Sequence, residues 1–397
     1  MIKMRRSNKE LDSLEKEKTR VKFDFILFFS VLLVSLFGVL MIYSATRFSM
    51  PGEVNDPLYY LKKQALWLAA SVVFLLLIQF INYKSIKKYW WVVFAGIIAS
   101  LVLVLFLGFE VHGSKSWMDL KFFSVQPSEI SKIFMVIVIS AILSKQKTEK
   151  KNKVGFKKVF FSLVVLSVCT VLVAMEPDLG TSLIYYLTYV GMLFISGASI
   201  LYFLGIIAVT AGGVLLGLKV NLIKEYQLDR ILVFIKPGVQ KEGAGYNLFQ
   251  SKLAIGSGEL FGKGLFLGKQ TNLNYVPEHH TDFIFSVIGE ELGFVGALIV
   301  IVLLAVIVWR CFYISLNASD SFGSLASGGI GFMILSQMVI NIGMTIGIMP
   351  IIGIPLPFLS YGGSNLLSVF VGIGLVENIY RRREIRKDYE IAYQEFD

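Results

Sequence analysis

Apolar runs about 17 to 26 residues long recur from one end of the chain to the other, and each can cross ~30 Å of hydrocarbon as a helix. A bilayer is the solvent that accommodates so many of them. Of 397 residues, 55% are hydrophobic and 17% charged, where globular chains carry about 25% charged residues. The expected fold is all-α and polytopic, with about ten transmembrane helices. They run Phe25–Ala45, Ala65–Ile81, Trp90–Phe109, Pro127–Ser144, Val159–Met175, Gly180–Ser196, Ile200–Leu218, Phe283–Trp309, Phe322–Ile348 and Gly363–Ile379.

An even number of spans puts both termini on one side. Of the 38 Lys and Arg residues, 24 fall in the segments of that side, among them Lys3 to Lys22, Lys145 to Lys158 and Arg381 to Lys387. The other side holds 14, but eight of these lie in one loop, Lys219 to Asp282, too long to count toward the positive-inside bias, so 24 stand against six. The termini are therefore assigned to the cytoplasm. Residues 1–24 form a cytoplasmic N-terminal segment, 25–380 a membrane domain with a long outer loop over 219–282, and 381–397 a cytoplasmic tail. Met1 to Lys22 is too long and too acidic for a cleaved signal, so the first span is expected to be retained. The formal charge of +10 is scattered between apolar segments instead of lining one face, which sets nucleic acid aside. Cys169 and Cys311 lie in or at the end of apolar segments, which excludes a disulfide framework and a four-cysteine zinc site.

All nine prolines fall in outer connections under this topology. Proline removes a backbone donor and fixes φ, and irregular backbone near a membrane persists only where protein or water satisfies its polar groups. The elaborated face is the outer one, and four of its segments carry candidate chemistry.

The first runs Gly113-Ser114-Lys115-Ser116-Trp117-Met118-Asp119-Leu120-Lys121 and on to Gln126-Pro127-Ser128-Glu129-Ile130-Ser131-Lys132. Pro127 suits a first helical turn, Glu129 suits the positive helix end, and Glu129 and Lys132 share a face. Ionisable groups entering a membrane default to a functional reading, against an ion pair that merely anchors the helix. Trp117 reads as an interface anchor or as a flat apolar face for a sugar ring. The second, Glu176-Pro177-Asp178-Leu179-Gly180-Thr181-Ser182, is a tight turn in which Thr181 or Ser182 is the expected cap.

The third is the long loop, with eight glycines from Gly238 to Gly268 and an interfacial amphipathic helix expected around Tyr246, Phe249 and Leu253. Its Gly256-to-Gly264 run lacks the spacing and the preceding strand of a nucleotide phosphate loop. Its amides, with Arg230, Lys252, Lys263 and Lys269, could still cradle a diphosphate. The loop ends in Pro277-Glu278-His279-His280-Thr281-Asp282. Asp282, at the water boundary, is the candidate general base. The helix N-terminus favours its carboxylate while Phe283, Phe285 and the bilayer oppose it, which leaves the sign of the shift open. Glu290 lies about 12 Å deeper, too far for the same proton transfer. His279 and His280 lack a third ligand for zinc. The fourth segment, Met349 to Ser364, holds three prolines and three glycines. It cannot be a continuous helix, and is expected to re-enter as a loop that lines the outer cavity, with Ser360 on it.

Taken together, GSKSW…QPSEISK, MEPDLGTS, AIGSGELFGKG, VPEHHTDFIFSVIGEELG and GIPLPFLSYGGS resemble, in order and spacing, the motifs of the SEDS family (shape, elongation, division, sporulation), over Phe25 to Ile379. GKQTNLNYVPEHHTDFIF and EPDLGT are more similar to the RodA elongation type than to the FtsW division type. Glu176 and Lys269 depart from the Gln and Thr frequent in the family. The resemblance implies a peptidoglycan glycosyltransferase that polymerises lipid II into β-1,4-linked glycan at the outer face of the bacterial cytoplasmic membrane, in elongation and shape maintenance. Implied partners are a class B penicillin-binding protein, which is a monofunctional transpeptidase, and the other membrane proteins of the elongation complex, in a setting of membrane lipid. Asp282 matches the family's essential aspartate, Trp117 its loop tryptophan, and Glu129 and Lys132 its cavity pair.

In the mechanism this implies, Asp282 deprotonates the acceptor 4-hydroxyl, which attacks the anomeric carbon of the growing glycan with inversion and expels polyprenyl diphosphate. Lys132, Lys115, Lys121, Arg230 and Lys263 are the candidate cationic partners of that leaving group. No motif demands a resident cofactor, and a divalent cation, Mg or Mn, is the one the diphosphate chemistry admits. The alternative is a lipid II flippase. A transporter commonly shows internal repeats and polar groups in both halves, whereas here the polar motifs gather outside. A pure scaffold leaves Asp282 and Lys132 without a task.

Overall fold

The computed structural model describes residues 23–48, 56–111, 114–119, 123–144, 154–219, 230, 232–234 and 243–394. Each of the ten expected segments overlaps a helix: α1 (Phe25–Thr46), α2 (Tyr59–Ile78), α4 (Trp90–Leu107), α5 (Pro127–Leu143), α6 (Phe156–Met175), α7 (Leu179–Ser196), α8 (Ile200–Lys219), α11 (Ile284–Leu316), α12 (Ser321–Ile346) and α13 (Gly363–Gln394). Shorter helices among the described residues include α3 (Tyr83–Lys88), α9 (Ala244–Ser257), where an amphipathic helix was expected, and α10 (Lys269–Asn272). Seven described helices, α1, α2, α4, α6, α7, α11 and α12, are long and apolar enough to cross a membrane. The chain is a helical multi-pass membrane protein.

An all-α expectation misses one feature. Between α4 and α5 lies a three-stranded antiparallel sheet, β1 (Phe109–Val111), β2 (Ser114–Asp119) and β3 (Ser124–Val125), in the order β1-β2-β3. Trp117 pairs with Phe109 and Met118 with Val125. Ser-Lys-Ser-Trp-Met-Asp shows no apolar/polar alternation, so periodicity offered no strand signal here, and the pairing with β1 and β3 is what makes it a strand. Two helices also outrun their expected ends: α11 continues to Leu316 and α13 to Gln394.

Helix starts follow capping chemistry. Asp24, Asp178 and Asp320 accept from the backbone N–H groups of Leu27 (3.1 Å), Thr181 (2.9 Å) and Gly323 (2.8 Å). The cap of α7 is therefore Asp178, not Thr181 or Ser182, because its carboxylate, three residues before Thr181, answers the orphan N–H of Thr181. Pro127 occupies the first turn of α5, as its missing N–H allows.

The helix α12 is central, with most of its residues buried, and α4 is peripheral, with only Ile97, Leu101 and Val104 buried. α11 is broken at Gly293, whose φ of 65° a side chain rarely tolerates. The backbone groups freed by the break do not go unpaired. Lys263 N donates to Glu290 O and Gly264 N to Glu291 O, both at 3.0 Å, while Phe294 N and Val295 N donate to Glu259 O (2.9 Å) and Leu260 O (3.0 Å). The glycine-rich loop after α9 is in effect stitched into the gap, as irregular backbone in an apolar setting requires.

At the other end of the molecule, fully buried Glu377 on α13 accepts from Asp24 N at 3.1 Å, and the Asp24 carboxylate takes a hydrogen-bonded ion pair from Arg310 on α11. Three helices meet at this cluster. Removing one partner strands a buried charge, a loss of about 3 to 5 kcal/mol. Arg310→Ala should lower thermal stability in detergent, and Asp24→Ala added to it should cost less than the sum of the two single changes; additive losses would show that the pair does not bind these helices together.

Candidate active site

A cavity of about 1360 Å³ opens among α2, the small sheet, the starts of α5 and α7, and the non-helical strap 349–362 that precedes α13. The strap is the segment expected to resist helix formation, and it does so while nearly buried: Leu356, Phe358 and Leu359 are at most 1% exposed. Trp117, Glu129, Lys132, Arg230 and Asp282 all line this cavity, though 165 positions separate the first from the last.

Asp282 sits just before α11, half-buried, against Gly353 of the strap. Gly353 has φ +76°, and a Cβ there would lie 3.0 Å from Asp282 Oδ2 and 4.0 Å from Arg230 Nη1. Glycine thus lets the strap pass close to the carboxylate. Arg230 Nη1 donates to Ile352 O at 3.1 Å, which ties a residue of the long loop to the same wall. Burial pushes the Asp282 carboxyl up to about 7, with repulsion from Glu278 adding to it and the Arg230 charge opposing it. Desolvation wins the competition that the sequence left open.

Glu129 and Lys132 form the expected i, i+3 ion pair, 2.7 Å long, with side chains 7% and 1% exposed. Next to it Asp178 Oδ2 accepts from Gln126 Nε2 (3.1 Å), Ser128 Oγ (3.2 Å) and Thr181 Oγ1 (2.9 Å). That carboxylate is saturated with donors and braces the α5 and α7 starts against each other. Sequence reasoning took its motif for a turn and missed this bracing role; an Asp directly before an apolar run was the available signal. His280, Tyr60 and Tyr361 form an aromatic wall, with Tyr60 5.1 Å from each of the other two rings. Burial and neighbouring His279 push His280 down to about 4, so its imidazole is neutral at physiological pH.

Four carboxylates, Glu129, Asp178, Glu278 and Asp282, face the cavity. Four cations, Lys62, Lys63, Lys132 and Arg230, answer them among the described residues, which leaves the wall near neutrality before a substrate arrives.

The remaining candidates stand elsewhere. Lys115 is exposed on β2 and donates to Phe106 O at 3.3 Å. Lys263 pairs with Glu290 Oε1 at 2.8 Å, away from the cavity lining. Ser360 is buried in the strap, its hydroxyl donating to Thr281 O at 2.5 Å and accepting from Leu356 N at 2.8 Å. Lys121 lies outside the described residues. Among the described residues no three His, Cys, Asp or Glu side chains converge as a metal-ligand set.

Glu176, at the C-terminal end of α6 and fully buried, is pushed up to about 8 by burial and by Asp178. Between its ordinary value and about 8 the unfolded chain has lost a proton that the folded chain still holds, so stability falls as pH rises through that window. Glu176→Gln should remove this slope while leaving stability at low pH unchanged, as read from thermal unfolding across the range; an unaltered slope would assign the pH dependence to another group.

Comparison with known proteins agrees with the motifs. The FTSW_RODA_SPOVE cell cycle protein family model matches residues 24–385. The chain is 33% identical over 383 residues to a probable peptidoglycan glycosyltransferase FtsW of Wigglesworthia glossinidia brevipalpis, covering 94% of this chain and 95% of that one. It is 37% identical over 297 residues to the peptidoglycan glycosyltransferase MrdB of Escherichia coli K12, covering 74% and 79%. A chain solved in a study of how a peptidoglycan synthase complex coordinates polymerization and crosslinking superposes with a TM-score of 0.73, at 25% identity over 91% of this chain and 98% of that one.

Proposed function

The chain belongs to the FtsW, RodA and SpoVE family of cell cycle proteins, and from that premise we propose that it is a peptidoglycan glycosyltransferase that polymerises lipid II into β-1,4-linked glycan during cell-wall elongation. The observation that carries the reading is Asp282: a half-buried carboxylate on the wall of a large cavity, raised to about 7, where a general base at neutral pH is most useful. It takes the proton from the acceptor 4-hydroxyl as the oxygen attacks the anomeric carbon of the glycan chain, which inverts and releases polyprenyl diphosphate. Lys132 and Arg230, the cavity's buried and half-buried cations, are the partners we assign to the departing diphosphate. Trp117 offers a ring face to a sugar, and Glu129 holds Lys132 in place. Among the described residues no three His, Cys, Asp or Glu side chains gather as a ligand set for an Mg or Mn ion.

The topology we assign has ten spans, both termini cytoplasmic, the long loop 219–282 and the re-entrant strap outside, and the site on the outer face of the cytoplasmic membrane. The charge asymmetry of 24 against six supports it. Residues 1–24 and 381–397 are the cytoplasmic ends of this domain. A class B penicillin-binding protein is the partner we assign, supported by likeness to a chain from a synthase complex. The RodA-like stretch before Asp282 supports elongation over division.

The test is polymerisation of labelled lipid II by the full chain with a crosslinking-dead partner. Asp282→Ala should lose about 10² to 10⁴ in rate while still capturing the partner; native rate in the variant would sink the assignment. Because the base works as the carboxylate, the native rate should rise with pH through about 7 and level off above it. A profile flat across that region would place the proton elsewhere.

A further inference from the structure

Asp282 precedes a helix yet its own carbonyl has no helical partner, since Ser286 N, the donor an α-helix would send to it, bonds Phe283 O at 2.9 Å instead. The donor comes from another helix. Asn341 of α12, 0% exposed, directs its Nδ2 to Asp282 O at 2.8 Å and also to Ile354 O of the strap at 2.7 Å. One amide spends both its hydrogens joining the residue that bears the carboxylate to the segment that walls it in.

The bond is the last of three in register. Tyr361 N donates to His280 O at 2.9 Å, Ser360 Oγ to Thr281 O at 2.5 Å, and Asn341 Nδ2 to Asp282 O. Three successive carbonyls are clamped, two from the strap and one from α12. With these held, the Asp282 Cα is fixed and only χ1 and χ2 are left to move the carboxylate, in staggered steps. The Ile354 end of the same amide sets how near Gly353, whose Cβ position lies 3.0 Å from Asp282 Oδ2, approaches the carboxylate.

We propose that Asn341 is a positioning residue of the transferase, acting through the Asp282 carbonyl and the strap to hold the carboxylate where it meets the acceptor hydroxyl. The inference rests on Asp282 as general base. It assigns to α12 a part in the reaction with no contact to substrate, since Asn341 does not line the cavity. Ser360, a substrate-binding candidate by sequence, belongs by its bonds to the same clamp.

The experiment compares native chain, Asn341→Ala, Asn341→Gln and Asp282→Ala in the polymerisation assay, each checked for folding by thermal unfolding and sizing. A misplacement on the order of 1 Å costs up to about 100-fold in rate, so Asn341→Ala should lower kcat at least about 10-fold with KM for lipid II within about threefold. The acidic limb of its pH profile should leave the native midpoint, which a role confined to stability would not cause. Asn341→Gln, which keeps the amide but displaces it, should fall between native and Ala. Native kcat and midpoint in a folded Asn341→Ala overturn the proposal; if that variant does not fold, the same result in Asn341→Gln overturns it. An inactive Asp282→Ala beside a native-like Asn341 variant removes this inference alone, whereas an active Asp282→Ala removes the general base and the inference with it.

Discussion

Backbone polar groups that leave a helix inside an apolar protein must find partners there, because a carbonyl or N–H buried alone costs several kcal/mol. That requirement organises the half of the molecule that holds the cavity. The strap 349–362 cannot be helical, so side chains from distant elements converge on it: Arg230 on Ile352 O, Asn341 on Ile354 O, Gln64 of α2 on Ser360 O. The same side chains that satisfy it draw α2, α12 and the long loop around one space. The broken helix α11 is a second instance, with the glycine-rich loop supplying four backbone bonds at Gly293. Irregular chain is here a framework for the cavity, held by hydrogen bonds where a helix would hold itself.

The carboxylates divide according to how many donors reach them. Glu290 accepts from Lys263 Nζ, Gln270 N, Thr271 N and Thr271 Oγ1, which makes it an anchor for α10 and the loop before it. Asp178 accepts from three side chains and the α7 backbone. Asp24 is taken up by Arg310 and Leu27 N. Asp282 differs: it is desolvated without such compensation, and its carboxyl rises accordingly. A carboxylate rich in donors is stabilised as an ion and is a poor base; one short of them is costly to keep and useful to catalysis. The fold carries both kinds within one helix, at Glu290 and just before its start at Asp282.

The two ends of the bundle are built for different tasks. At the end away from the cavity, Arg310, Asp24 and Glu377 close α1, α11 and α13 on each other, and Tyr83 stacks on Phe322 while its hydroxyl meets Asp320 at 2.5 Å. At the opposite end the elements diverge around a cavity of about 1360 Å³. A firm seam at one end lets the other end spread around the cavity without unfastening the helices.

Much of this was legible in the residues. Run length predicted ten apolar segments, each of which overlaps a helix although α11 and α13 run on past their expected ends, the prolines marked the strap, and the spacing of Glu129 and Lys132 predicted their ion pair. These are local properties, set by rise per residue, by proline's missing donor and by the 3.6-residue turn. Other features depended on chain brought from far away. That Lys263 serves Glu290 and not the cavity, that Ser360 grips Thr281, that Asp178 outcompetes Thr181 as a cap, and that Asn341 reaches Asp282 across 59 positions all follow from packing. The pKa of Asp282 is of the same kind: its sequence neighbours argue both ways, and only the depth of burial beside Glu278 and Arg230 decides the sign. Which segments are apolar enough for long helices and which resist the helix is written in local residue chemistry; how few donors reach Asp282 was decided by the packing, because desolvation and hydrogen bonding are sums over neighbours that no local pattern contains.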